Sequence, residues 1–139
     1  MFIRSVRDVL GQRPVPSVAP MATVRDAAHV LDRFDIGALV VLDGGRLAGV
    51  ISERDVIRRC VAQDADPDTV TVAEVMTPSP RTIDPEAGLA DAIRIMAEAH
   101  CRHLPVMEGD RCIGLLSIRD IPTEYRMMVE RFAEMRGRS

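Results

Sequence analysis

Two serine–aspartate pairs are the residues of this sequence best placed to do chemistry. Ser52 and Asp55 stand three positions apart, as do Ser117 and Asp120. Each pair closes the same phrase, Gly49-Val50-Ile51-Ser52-Glu53-Arg54-Asp55 and Gly114-Leu115-Leu116-Ser117-Ile118-Arg119-Asp120, at an offset of 65 (Gly49 to Gly114). An apolar pair, a hydroxyl and then a carboxylate predict a strand running into a helix N-terminus. Free N–H groups at such an end attract phosphate, and serine adds a hydrogen bond. A carboxylate on the first turn can accept from both hydroxyls of a ribose. Arg54 and Arg119 are placed to meet phosphate. A second reading stays open, because Ser with an acid three residues later is also a capping box, which stabilises a helix with no ligand at all. Repetition favours the ligand. So does the Gly that precedes each corner, since Gly inside a strand can mark a close backbone approach.

The elements that must hold these corners also occur twice. Ser5-Val6-Arg7-Asp8-Val9-Leu10 opens as a capped helix, and Gly11 through Pro16 ends it. Thr23 predicts the cap of a helix with an apolar stripe of Val24, Ala27, Ala28, Leu31 and Phe34. Ala38 to Leu42 reads as a strand buried on both faces. Asp43-Gly44-Gly45-Arg46 is a hairpin turn and Leu47 to Ile51 the return strand. Ser52 then caps a helix whose inner face is expected to be Val56, Ile57, Cys60 and Val61. After an acidic, linker-like stretch from Ala62 to Val70 the pattern restarts at Thr71. Thr82 to Pro85, the stripe Leu89, Ala92, Ile93 and Met96, and the hairpin from Leu104 to Leu116 follow in register.

From position 20 onward the halves align without a gap at offset 65, whereas their openings (Ser5 and Thr71) align at 66. A repeat of this length implies a duplicated β-α-β-β-α unit. Neither half, at roughly 60 residues, buries much surface alone, so the two are expected to pair about a pseudo-two-fold axis into one core. The second half departs at Pro122, which predicts a kink or break after the Ser117 corner. A new helix is expected with Thr123 as its cap and Tyr125, Met128, Val129, Phe132 and Met135 as its stripe, packing on a second subunit.

Composition excludes several functions. All basic residues are Arg, which removes lysine Schiff-base chemistry. A net charge of −3 with no basic run argues against nucleic acid. Three Phe, one Tyr and no Trp leave no stacking platform for single strands. No apolar run approaches the roughly 18 residues of a membrane helix, and Met1-Phe2-Ile3-Arg4 does not open a signal peptide. Three unpatterned cysteines (Cys60, Cys101, Cys112) form no disulfide framework, so a reducing cytoplasm is expected. Cys101 and Cys112 are expected on neighbouring strands. His100-Cys101-x-His103 does not match the usual zinc spacings, and no Ser/His/Asp or Cys/His set is present, so no enzyme is expected.

The doubled pattern resembles a tandem pair of CBS (cystathionine-β-synthase-type) domains, a Bateman module. The likeness rests on the two Gly-to-Asp phrases, on Ile36 to Val41 and Arg102 to Val106, and on Val75-Met76-Thr77-Pro78. It implies an α+β (α/β-like) fold in one compact module: repeat one at 5–62, repeat two at 71–122, and a C-terminal amphipathic helix at 123–136. It implies an adenine nucleotide in the clefts between repeats: AMP first, with ADP, ATP, NAD(H) or S-adenosylmethionine as other members of the class. Ser52 and Ser117 would then contact phosphate or ribose, and Asp55 and Asp120 the ribose hydroxyls. The backbone of Ala38 and His103 would read the adenine edge, while Val18, Thr82, Ile83 and Pro105 would wall the base. The resemblance also implies disc-like homodimers and a separate target protein. Repeat one carries Val40 where repeat two has the more usual Pro105. It also has Leu10-Gly11-Gln12 in place of Met-Thr-Pro, so the second site carries the fuller pattern. The alternative is a structural dimerisation or interaction domain whose clefts hold no ligand.

Overall fold

Local sequence accounts for most of the element boundaries. The computed structural model describes residues 5–137, apart from the side chains at 129, 132, 133, 136 and 137. Met1 to Arg4, and Val129 and Phe132 of the expected C-terminal stripe, lie outside the described residues. The first repeat runs α1 (Val6–Leu10), β1 (Ser17–Val18), α2 (Val24–Phe34), β2 (Ala38–Asp43), β3 (Arg46–Ser52) and α3 (Glu53–Arg59), with a 3-10 turn at Val61–Gln63. The second runs α4 (Val72–Val75), β4 (Thr77–Pro78), α5 (Leu89–Ala99), β5 (His103–Glu108), β6 (Arg111–Ser117) and a 3-10 turn at Ile118–Asp120, followed by α6 (Thr123–Gly137). This is the duplicated α+β module expected from the sequence.

Ser5, Thr23 and Ser52 all cap their helices in reciprocal capping boxes with Asp8, Asp26 and Asp55. Asp35 and His100, at equivalent positions, end α2 and α5 in the left-handed region. Gly44 and Gly45 both hold positive φ (57° and 85°), as a two-residue turn between right-twisted strands requires.

Each leading helix packs on the repeat it does not belong to. The first N–H groups of a helix have no partner within it. Those of α1 find the second repeat: Val6 donates to the Ala87 carbonyl (2.9 Å) and Arg7 to that of Pro85 (2.8 Å). Those of α4 find the first: Val72 donates to Ala22 (2.8 Å) and Ala73 to Pro20 (2.9 Å). The cores follow the same exchange. Val6 and Leu10 pack with Leu89, Ile93, Leu104 and Leu116, whereas Val72 and Val75 pack with Val24, Leu31, Leu39 and Ile51. Arg7 also pairs with Glu86 and Glu108 of the second repeat.

The strands record it too. One sheet has the order β1-β2-β3-β4, so the second repeat's β4 completes the first repeat's sheet. There β1 runs parallel to β2, and β2–β3 and β3–β4 are antiparallel. The other sheet is the β5–β6 hairpin, joined by a single parallel bridge from Ile83 to Val106.

Several expectations need correction. Phe34, expected in the buried stripe, is 63% exposed at the last position of α2. Ile57 and Val61 are exposed rather than inward-facing, because α3 turns only Val56 and Cys60 toward the core. Adjacent helical positions point about 100° apart, and on α3 that rotation carries Ile57 from the Val56–Cys60 face out to solvent. Cys101 lies before β5, at the opposite end of the hairpin from Cys112, so the two are not strand neighbours. The break at Pro122 occurs, but Thr123 is a helical residue rather than the cap: the N–H groups of Tyr125 and Arg126 reach back to the Pro122 carbonyl.

Candidate functional site

The Ser117 corner is built where β6 ends. Ser117 pairs across the hairpin with His103. Its backbone N–H donates to Asp120 Oδ2 (2.8 Å), and its hydroxyl accepts from the Arg119 N–H (3.2 Å). The Ile118 N–H is taken by the Arg102 carbonyl (2.8 Å). Four residues separate Ser117 from Pro122, which cannot donate, and the corner is a three-residue 3-10 turn (Ile118–Asp120) rather than a full helix. The Asp120 carboxylate is left with Oδ1 facing Arg13, whose Nη1 donates to it at 3.0 Å.

This corner faces a cleft of about 570 Å³ between the repeats. One wall is the second repeat: His103, Gly114, Leu115, Ser117, Arg119 and Asp120. The opposite wall is the first repeat: Leu10 and the stretch 13–17, then Val30, Phe34 and Asp35 at the end of α2, and Ile36, Gly37 and Ala38 leading into β2. Its surface is mostly apolar with a few convergent polar groups, and its size is in the range of small-ligand sites. His103 sits between the two corners, near Asp120 and Glu53. Desolvation depresses its pKa below the ordinary histidine value, and those carboxylates only partly offset this.

Of the residues singled out from the sequence, the cleft gathers Ser117, Arg119, Asp120, His103 and Ala38. The remaining ones lie elsewhere. Ile83 is buried in the second repeat's core, its N–H on the Pro105 carbonyl (3.0 Å), and Pro105 is buried beside it. Thr82 is exposed, and Val18 packs against the first repeat's core while its neighbour Ser17 lines the cleft.

Ser52 and Asp55 form the matching corner on β3–α3. Asp55 accepts from the Ser52 N–H (2.9 Å) and hydroxyl (3.1 Å), and Arg59 Nε stands 3.8 Å away. Arg54 is exposed on α3. None of these three lines the cleft.

The glycines that favoured a ligand have another occupant. A β-carbon on Gly49 would lie 2.6 Å from the Thr77 carbonyl oxygen and 2.7 Å from Met76 Sδ; one on Gly114 would lie 2.7 Å from Leu10 Cδ1. What approaches each strand is the other repeat's leading segment, so these glycines answer to packing. Sequence reasoning also missed Arg13, Phe34 and the 13–17 wall. One signal pointed there: the change from offset 66 to 65 places an extra residue in repeat one between 5 and 20.

Among the described residues no cluster of three or more His, Cys, Asp or Glu is grouped to hold a metal ion. Burial raises the thiol pKa of both Cys101 and Cys112, so neither is an activated thiolate. Among the described residues no helix is long and apolar enough to cross a membrane.

The CBS domain pattern matches this chain twice, over residues 6–62 and 72–124. This chain belongs to the CBS domain family. The CBS domain-containing protein YhcV of Bacillus subtilis is 32% identical over 117 residues, covering 84% of this chain and 82% of its own. Among solved structures, a CBS domain protein from Pyrobaculum aerophilum complexed with AMP superposes with a TM-score of 0.81 at 29% identity, covering 93% of this chain and 99% of that one. A CBS-domain containing protein from Agrobacterium tumefaciens gives 0.78 at 30% identity, covering 91% and 98%. The CBS tandem thus extends over nearly the whole chain, and the corner phrases fall at the end of each match.

Proposed function

We propose that this CBS pair is a regulatory module that binds an adenine nucleotide in the cleft between its repeats, AMP first among AMP, ADP, ATP and NAD(H). One observation carries the reading: the cleft brings together a carboxylate (Asp120), a hydroxyl (Ser117) and two guanidiniums (Arg119 from one wall, Arg13 from the other) on an otherwise apolar slot. Asp120 would take the ribose hydroxyls, and Arg119, which has no ion pair among the described residues, would take phosphate. The base would lie along Ile36 to Ala38 and Leu115. The AMP complex of the Pyrobaculum relative supports this choice of ligand class. A ligand that touches both walls ties the repeats together, and that is how occupancy would be signalled to a separate target protein. No catalytic step is assigned.

The pseudo-symmetry extends the proposal to a second site. Ser17 and Ala38 correspond to Thr82 and His103, so Ser52, Asp55 and Arg54 would form its polar corner with those two. Repeat one at 5–62, repeat two at 71–122 and the helix at 123–136 remain the proposed units, in a cytoplasmic homodimer. Exposed Ile57 and Val61 on and after α3 supply apolar surface for self-association. The same exposure favours the alternative of an interaction module whose faces, rather than its clefts, are the function.

A thermal-shift screen decides between these readings. A ligand at 100 times its dissociation constant adds about 2.7 kcal/mol of stability. The expected result is a raised melting temperature with AMP. If AMP, ADP, ATP and NADH all leave it unchanged, the nucleotide reading fails and the interaction module stands.

A further inference from the structure

Arg13 occupies the carboxylate that a ribose would need. Its Nη1 donates to Asp120 Oδ1 at 3.0 Å, while its Nε donates to the Leu10 carbonyl at 3.2 Å. The second bond ties the side chain to the end of α1, and the planar guanidinium moves as one unit. Both partners line the cleft. The Arg13 side chain is 51% exposed against 18% for Asp120, so the pair sits at the mouth, where the guanidinium can swing without unpacking the core. Resting on the nucleotide reading above, we propose that Arg13 makes this cleft select a nucleotide over a nucleoside.

The selection comes from an exchange of partners. A ribose that takes Asp120 must displace Arg13. With a phosphate on the ligand, the displaced guanidinium gains a new anion a few ångströms away, while Asp120 exchanges its ion pair for hydroxyl donors. With a nucleoside it loses its carboxylate and gains nothing. Arg119 also lines the cleft and, with no ion pair among the described residues to give up, attracts phosphate without penalising a nucleoside. Arg119 therefore acts on AMP only, whereas Arg13 moves the ratio from both sides, strengthening AMP and weakening adenosine.

The test is calorimetric titration of the full chain with AMP and with adenosine, comparing the unaltered protein with Arg13→Ala and Arg13→Gln. The Gln variant keeps the bulk without the charge, and melting temperatures check that both fold. Expected is an unaltered protein that favours AMP. In both variants adenosine should bind about threefold to fivefold tighter, the scale of one part-exposed ion pair, and AMP should bind weaker. The ratio between them then falls by about tenfold or more. AMP binding with an unchanged ratio, including equal weakening of both ligands, overturns the proposal alone and makes Arg13 a structural tie. If no protein binds either ligand, the nucleotide reading falls and this inference with it.

Discussion

The carbonyl oxygen of Thr77 stands 2.6 Å from the point a β-carbon on Gly49 would occupy. The contact is backbone against strand, across the boundary between repeats, and a backbone cannot move aside cheaply. At the equivalent position, Gly114 faces Leu10 Cδ1 at 2.7 Å, the far end of a flexible side chain. Gly49→Ala should therefore destabilise the fold by about 1–3 kcal/mol, the usual scale of overpacking, and Gly114→Ala by clearly less. Urea unfolding measures both; a larger loss for Gly114→Ala would contradict this account.

Exchange of the leading helices makes a crossed prediction. Val6 and Val72 are fully buried, each in the core of the other repeat. Truncation of either to Ala should cost about 2 kcal/mol. By hydrogen exchange, Val6→Ala should expose β5–β6 amides before those of β2–β3, and Val72→Ala the reverse. The swapped pattern would mean that each helix belongs to its own repeat, and one order in both variants that neither helix sets it.

The corner serines differ in what they hold up. Ser52 caps a seven-residue helix and Ser117 a three-residue turn. Ser52→Ala should lower stability by about 1 kcal/mol, and Ser117→Ala by less. Thermal unfolding followed by circular dichroism is sufficient, and equal losses would show that the second corner matters structurally as much as the first.

His103 should make stability depend on pH. Burial holds its folded pKa below the ordinary 6.5, so the imidazole is kept neutral in the native state. The unfolded chain then binds the proton first as pH falls. Stability is fully present above the unfolded value and is lost as pH drops from about 6.5 through the depressed folded value. Urea midpoints at pH 7.5, 6.5 and 5.5 should fall more steeply for the native protein than for His103→Gln. Parallel curves would place the pH dependence elsewhere.

The two carboxylates should separate in ligand binding. Asp120 lines the cleft and Asp55 does not. Asp120→Ala should abolish the AMP-induced rise in melting temperature, whereas Asp55→Ala should leave the stronger shift in place. Loss of the shift in both variants would mean that the two corners act on one ligand. Unfolding of Asp120→Ala would instead mean that its capping box is its whole role.

By itself the sequence determined whatever depends on near neighbours. The internal repeat, the caps at Ser5, Thr23 and Ser52, the Gly44-Gly45 turn, the apolar run Ala38 to Leu42 and the break at Pro122 are local properties, set by backbone freedom and side-chain periodicity. They were enough to place both serine–aspartate corners and the family they belong to. Tertiary structure decided what faces what. It sent α1 and α4 to opposite repeats, where the N–H groups of Val6, Arg7, Val72 and Ala73 and the helices' apolar faces found partners. That exchange packed the other repeat's leading segment closely against Gly49 and Gly114. It also set the first repeat's 13–17 stretch, not Thr82 or Ile83, against Asp120. Contacts between positions more than a hundred apart, such as Arg13 with Asp120, leave no periodicity in a chain. Only the packing of one half on the other brings them together.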